Sequence, residues 1–304
     1  MKTNNISQAG GAPLGLVGRS DEIAKLSACL RAKRNVLLEG PVGVGKTHLA
    51  LHVTHQLGRR VFRVDGDNRY SEQKLSGWFD PPTVIKKGFS SDAFVPGPLV
   101  EAMQSGGVLF INELNRLPEG VQNVLLPAID ERMLVVPRLG RVDAAEGFLV
   151  VATQNPKEFV ATSHLSEAIL DRFELVVLDY QSQEEETAIV RDRISDAQLP
   201  KSDFEKLCKA SVLLARLTRA HERIRRGASV RAAISVAEIA AVLMREGADF
   251  RAAFLDAALM ALPTRIEIEH EADSERSIRE ETETLLKEWV REVLGQLDGT
   301  AGKK

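Results

Sequence analysis

Apolar positions in the first part of the chain follow two rhythms. Short runs at Asn35-Val36-Leu37-Leu38-Glu39, Val61-Phe62-Arg63-Val64, 107–111, 147–152 (continuing into Thr153-Gln154) and 174–178 predict buried strands. Between them lie segments of helical period. Residues 21–32 carry Ile23, Leu26 and Leu30, and the next segment carries Leu49, Val53 and Leu57 before stopping near Gly58. Further helices are predicted at 99–104 and at 120–132, the latter with Val121, Val124, Leu125 and Ile129 on one side. Residues 65–98 are rich in Gly, Pro, Ser and Asp and read mostly as loop, and a connection that long tends to carry function. Residues 133–136 and 140–142, separated by Pro137-Arg138-Leu139, predict a hairpin.

Strands alternating with helices over residues 14–181 imply an α/β core, a mainly parallel sheet between helices. From Ser182 the pattern turns to helices only. Ser182 and Glu185 form a capping box, and further helices are predicted at 203–226, 230–247 and 251–261. These make residues 182–268 an all-helical lid domain. Residues 269–304 supply a C-terminal helix, near 275–297, and a tail. Ile278, Leu285, Leu286, Trp289, Val290, Val293 and Leu294 form its apolar stripe.

Composition narrows the class. The chain has 304 residues, 44% hydrophobic and 27% charged, as in an ordinary soluble protein. A formal net charge of −3 gives no electrostatic reason to expect nucleic acid or an anionic membrane. Cys29 and Cys208 stand far apart in apolar helical stretches, so both are expected to be buried, reduced packing residues. Residues 1–13 are polar and glycine-rich, expected to be disordered and unlike a signal peptide. No apolar run approaches the length of a membrane span, and a cytoplasmic protein is expected.

Gly40-Pro41-Val42-Gly43-Val44-Gly45-Lys46-Thr47 matches G-x-x-x-x-G-K-[ST] at every fixed position, after a strand and at the opening of a helix. Glycines let successive N–H groups turn inward to make an anion-binding nest, and the helix adds its positive end. Lys46 reaches the β- and γ-phosphates and Thr47 ligates magnesium, so ATP with Mg²⁺ is expected here. The competing reading, a chance glycine-rich turn, does not explain the strand and helix on either side. His48, His52 and His55 share the following helix, but no further ligands make a metal site of them, and solvated histidines are the simpler reading.

Val108-Leu109-Phe110-Ile111-Asn112-Glu113 is a hydrophobic strand ending in polar residues, where a Walker B motif belongs. An Asp at the first polar position would hold Mg²⁺ and the following Glu would polarise the attacking water. Asn112 occupies the first position and Glu113 the second. An amide still accepts a hydrogen bond from magnesium-bound water, but it brings no charge. Asn155 ends another strand, where it either orients the attacking water or turns the chain before Pro156. Arg172 precedes the last strand, as an arginine finger or a salt-bridged surface residue. Arg231 opens a helix after Gly227-Ala228-Ser229-Val230, near the phosphates or as an ordinary helix start.

In order, these segments resemble the MoxR family of AAA+ ATPases, including the branch named after CbbQ and NorQ. The resemblance spans roughly residues 16–266. It rests on Val17-Gly18-Arg19, the phosphate loop, Phe94-Val95-Pro96-Gly97-Pro98-Leu99 and Asn112-Glu113-Leu114-Asn115-Arg116. It continues through Ala152-Thr153-Gln154-Asn155-Pro156, Glu167-Ala168, Leu170-Asp171-Arg172-Phe173 and Gly227-Ala228-Ser229-Val230-Arg231. It implies an AAA+ P-loop core with a helical lid, assembled as a homo-hexameric ring. Asn155 becomes sensor 1, Arg172 the finger acting on a neighbouring subunit, and Arg231 sensor 2. Glu113 completes the catalytic set. Val17, Gly18 and His48 join the phosphate loop in contacting nucleotide, and Thr47 and Asn112 face the metal. The hairpin around Pro137 resembles the pre-sensor 1 hairpin that often faces the ring's pore.

The family's members are chaperone-like remodelling ATPases that often mature or activate metalloenzymes, beside a partner with a von Willebrand factor A domain. The sequence departs from the family at Asn112, where Asp is usual. That departure leaves a nucleotide-gated scaffold with slow or no hydrolysis as the alternative to an active ATPase. A nucleic-acid or restriction-type motor is disfavoured by the near-neutral charge and the lack of aromatic-basic clusters.

Overall fold

A computed structural model of the protein describes residues 15–155, 165–195, 198–269 and 277–301. The expected disordered segment 1–13, Pro156 and the first residues of the last predicted helix lie outside them. The chain divides between Asp179 and Tyr180 into two units, each with its own core.

The first unit opens with α1 (Ser20–Arg31), β1 (Val36–Glu39), α2 (Lys46–Gln56) and β2 (Val61–Asp65). Residues 65–98, expected to be mostly loop, instead hold α3 (Glu72–Ser76), β3 (Gly77–Phe79), α4 (Pro81–Lys87) and β4 (Phe94–Pro96). The polar residues that signal a loop are helix caps here. Ser71 accepts from the Lys74 N–H and Asp80 from the Thr83 N–H, with Pro81 opening the helix behind it. Trp78 pairs with Val95 across the antiparallel β3–β4 ladder.

The unit continues with α5 (Pro98–Ser105), β5 (Val108–Asn112), α6 (Glu119–Asn123), α7 (Leu125–Asp130), β6 (Met133–Val136), β7 (Gly140–Asp143), β8 (Leu149–Gln154), α8 (Glu167–Leu170) and β9 (Glu174–Val177). The single helix expected over 120–132 is two, because Pro127 has no N–H to give the Asn123 carbonyl. The expected hairpin is the antiparallel pair β6–β7.

Five strands form one sheet in the order β2-β5-β8-β1-β9, and every pairing in it is parallel. Central strands of such a sheet are covered on both faces, and Leu109, Phe110, Ile111, Val150, Val151 and Ala152 are all buried. Each large apolar side chain so buried contributes about 1.5–3 kcal/mol. This anchoring fixes where the carboxyl ends of the strands stand.

The second unit comprises α9 (Gln183–Arg193), α10 (Lys201–Ala220), β10 (Ile224–Arg226), α11 (Val230–Arg245), α12 (Phe250–Ala261), β11 (Glu267–Ile268) and α13 (Ile278–Ala301). The capping box at Ser182 and Glu185 is complete. The helix expected over 203–226 ends at Ala220, and Ile224 pairs with Ile268 in a short antiparallel ladder, so this unit is not purely helical. Alternation of small and large residues packs its core. Ala233, Ala237, Ala240 and Ala241 of α11 and Ala253, Ala257 and Ala258 of α12 are buried with Phe254. Among the described residues no helix is long and apolar enough to cross a membrane.

Cys208 is buried, as expected, but Cys29 is partly exposed. It lies on the flank of the α1 stripe, whose inward positions are Leu26 and Leu30.

Candidate functional site

The glycine-rich loop joins the carboxyl end of β1 to α2. Gly45 is the residue before the helix and takes φ +92°, a conformation open to glycine at little cost. The Lys46 ammonium donates to the Gly40 carbonyl at 2.6 Å and the Pro41 carbonyl at 2.9 Å, so its charge lies across the mouth of the loop. Val44 is buried and anchors the loop from beneath. Its carbonyl accepts from Arg19 Nη2 at 3.1 Å, and the same nitrogen donates to the Asp179 carbonyl at 2.5 Å. Arg19 therefore ties the phosphate loop to the chain just past β9. Glu22 holds Arg19 Nη1 at 2.6 Å. Burial opposes ionisation of Glu22, but the Arg19 hydrogen bond and charge outweigh it and hold the carboxyl below its ordinary range. Val17, half-buried, and Gly18, exposed, lead directly into this clamp.

Beside the loop stands the end of β5. Thr47 Oγ1 donates to Asn112 Oδ1 at 2.9 Å, and Thr153 Oγ1 donates to the same oxygen at 3.1 Å. Thr153 also accepts from the Glu113 N–H at 2.9 Å. Glu113 sits at φ +59°, a left-handed conformation that costs a non-glycine residue about 1–2 kcal/mol. Its carboxylate is one-third exposed and meets Arg116 Nη1 at 3.0 Å. Space for this bend comes from Gly66, where a Cβ would lie 2.1 Å from the Glu113 carbonyl oxygen. Asn155 is buried at the end of β8, which lies between β5 and β1.

Lys46, Thr47, Asn112, Glu113 and Asn155 thus gather at the carboxyl edge of one sheet, with His48 half-buried on the first turn of α2. The donor set fits a nucleotide with a hard divalent cation. It offers a lysine and a helix N-terminus for phosphate, with a hydroxyl, an amide oxygen and carboxylates for Mg²⁺.

Two predicted residues are placed elsewhere. The Arg172 carbonyl accepts from Asn35 Nδ2 at 3.4 Å, just before β1 and β9 begin. That is the opposite edge of the sheet, about 13 Å from the loop at ~3.3 Å of rise per residue. Its guanidinium meets Asp130 at 2.6 Å and also donates to the Ala168 carbonyl. It does not serve this chain's own loop. Arg231 lies exposed on the first turn of α11, in the second unit. Among the described residues no group of three or more His, Cys, Asp or Glu is arranged to hold a metal, the three histidines of α2 included.

Sequence reasoning assigned no role to Arg19, Thr153 or Asp65. Asp65 is register partner to Asn112, and Asn112 Nδ2 donates to its carboxylate at 3.1 Å. Arg19 carried a signal, since it follows Val17-Gly18. Asp65 carried none, because nothing in the sequence places β2 beside β5.

This fold and this site define a P-loop nucleotide-binding protein. A family model described as the AAA domain, dynein-related subfamily, matches residues 35–173. The gas vesicle ATPase GvpN2 of Halobacterium salinarum is 30% identical over 239 residues, 72% of this chain and 67% of that protein. The gas vesicle ATPase GvpN of Haloferax mediterranei is 31% identical over 221 residues, 67% of this chain and 61% of its own length. A solved structure of a Thermotoga maritima RuvB mutant is alike in fold, with TM-score 0.54 and 20% identity over 80% of this chain and 70% of that one. The chain belongs to the AAA ATPase family.

Proposed function

We propose that the protein hydrolyses ATP at this loop and uses the cycle to remodel a partner protein, as a chaperone-like AAA+ ATPase of MoxR type. The observation that carries it is the hydrogen-bonded edge Thr47–Asn112–Thr153–Glu113 at the end of the phosphate loop, whose Lys46 ammonium donates to the Gly40 and Pro41 carbonyls. Thr47 and Asn112 would hold Mg²⁺, which when bound draws charge from the phosphates. Glu113 polarises the attacking water, Asn155 orients it, and Lys46 neutralises the departing charge. Arg172, remote from its own loop, would complete the site of a neighbouring copy in a homo-hexameric ring, with Arg231 as the lid's contribution.

A net charge of −3 supports a protein client over nucleic acid. The relatives' name, gas vesicle ATPase, supports ATP-driven work on a protein assembly. The ordered motifs support a cytoplasmic remodeller, of the CbbQ and NorQ branch, with a von Willebrand factor A partner. The test is phosphate release by the purified protein against Glu113→Gln, with at least a hundredfold loss expected; equal rates sink the reading. Asn112 favours a second reading, a nucleotide-gated scaffold with little turnover. That reading requires equal, negligible phosphate release together with assembly that depends on nucleotide in sedimentation velocity.

A further inference from the structure

The end of β5 lacks the carboxylate usual at this position, and the structure shows one beside it. In the parallel β2–β5 pair Asp65 is register partner to Asn112. Asn112 Nδ2 donates to Asp65 Oδ1 at 3.1 Å, while Asn112 Oδ1 accepts from Thr47 at 2.9 Å and Thr153 at 3.1 Å. A carboxylate can only accept, whereas the two threonine hydroxyls can donate or accept. Asp65 is therefore the one neighbour in this network that decides which way the amide faces. Turning the amide over would set its oxygen against the carboxylate and present an NH₂ group to the Thr47 side, where it would repel a cation. Arg63 braces Asp65 from the solvent side, with Nη2 to Oδ1 at 2.7 Å and Nε to Oδ2 at 3.0 Å.

We infer that Asp65 is a positioning residue for the magnesium side of the site: by accepting from Asn112 Nδ2 it locks the Asn112 oxygen toward Thr47. The inference rests on the proposed reading of this site as one for a magnesium nucleotide. It assigns Asp65 no contact with the reacting atoms.

The test is binding of fluorescent N-methylanthraniloyl-ADP to the full chain, titrated with magnesium chloride and repeated in EDTA. Asp65→Asn is close to isosteric and lets the amide turn. It is expected to raise the magnesium concentration for half-maximal strengthening about tenfold, the loss of roughly one charge-assisted hydrogen bond. Affinity in EDTA should stay as in wild type. The double variant Asp65→Asn with Asn112→Asp places a carboxylate on β5 itself, with no amide left to orient, and is expected to restore the magnesium dependence. The unchanged affinity in EDTA is the readout that a merely structural role for Asp65 would not leave intact.

The inference is overturned if Asp65→Asn keeps the wild-type magnesium dependence. An equal weakening in EDTA, or failure of the double variant to restore the dependence, overturns it too. A wild-type protein that binds no nucleotide under either condition refutes the nucleotide site itself. Wild-type binding with an inert Asp65→Asn refutes only the role of Asp65.

Discussion

Glu186 offers the sharpest test of how the second unit is held together. Its side chain is 1% exposed, with one oxygen 2.6 Å from Arg219 Nη1 and the other 3.3 Å from Arg216 Nη1. Arg219 cannot retreat easily. It donates to the Ala228 carbonyl at 2.6 Å and lies 3.8 Å over the Tyr180 ring, with 12% of its side chain exposed. Arg216 is 39% exposed and can turn to water. Glu186→Gln keeps the shape, leaves a carbonyl for Arg219 and turns an NH₂ toward Arg216. Removing one partner of a fully buried pair costs about 3–5 kcal/mol; the escape of Arg216 and the retained carbonyl bring this to about 2–3 kcal/mol.

The assay is urea unfolding in a Trp78→Phe background, where Trp289, buried in the second unit, reports alone. At a slope of ~2 kcal/mol per molar urea the midpoint should fall by about 1 M. A midpoint within about 0.2 M of the parent would refute the claim that this carboxylate is the unit's electrostatic anchor. Arg216→Ala added to Glu186→Gln should shift it little further, since the two changes remove the same contact.

Three further outcomes follow from the geometry. Gly66→Ala should reduce phosphate release at least tenfold while circular dichroism stays near wild type, because its methyl would meet the Glu113 carbonyl and move the strand end; unchanged turnover would show that the Glu113 bend has slack. Burial pushes the Cys208 thiol up to about 11, so a thiol reagent should label Cys29 in the native protein and reach Cys208 only on unfolding; two fast-reacting thiols would contradict this packing. Because the Glu22 carboxyl is held below its ordinary value of 4.5, its pairing with Arg19 stabilises the fold fully above that value and loses that effect as pH falls through the lowered one. The melting temperature of Glu22→Gln should therefore lie below wild type at pH 6 and converge on it as pH falls through the lowered value, and parallel curves would dissociate the pair from stability.

Much of the core was legible because the signals that make it are local. A phosphate loop is one contiguous stretch whose glycines and helix start are visible in order. The five sheet strands announce themselves as short apolar runs because a parallel sheet buries both faces. The capping box at Ser182 needs residues only three apart. Segments misread as loop over 65–98 failed for a related reason, since Ser71 and Asp80 are turn formers and helix caps alike, and only the packing of β3 on β4 selects the second use.

The strand at Ile224 is decided by a partner more than forty positions away, at Ile268. The site divides along the same line. Lys46, Thr47, Asn112 and Glu113 could be named from the order of residues. That Asp65 orients the Asn112 amide, that Arg19 clamps Val44, and that Arg172 stands at the far edge from its own loop were set by the order of strands across the sheet. Sequence determines which residues end each strand; only the folded sheet determines which ends become neighbours, because hydrogen bonds between distant segments choose their partners by how the whole core packs.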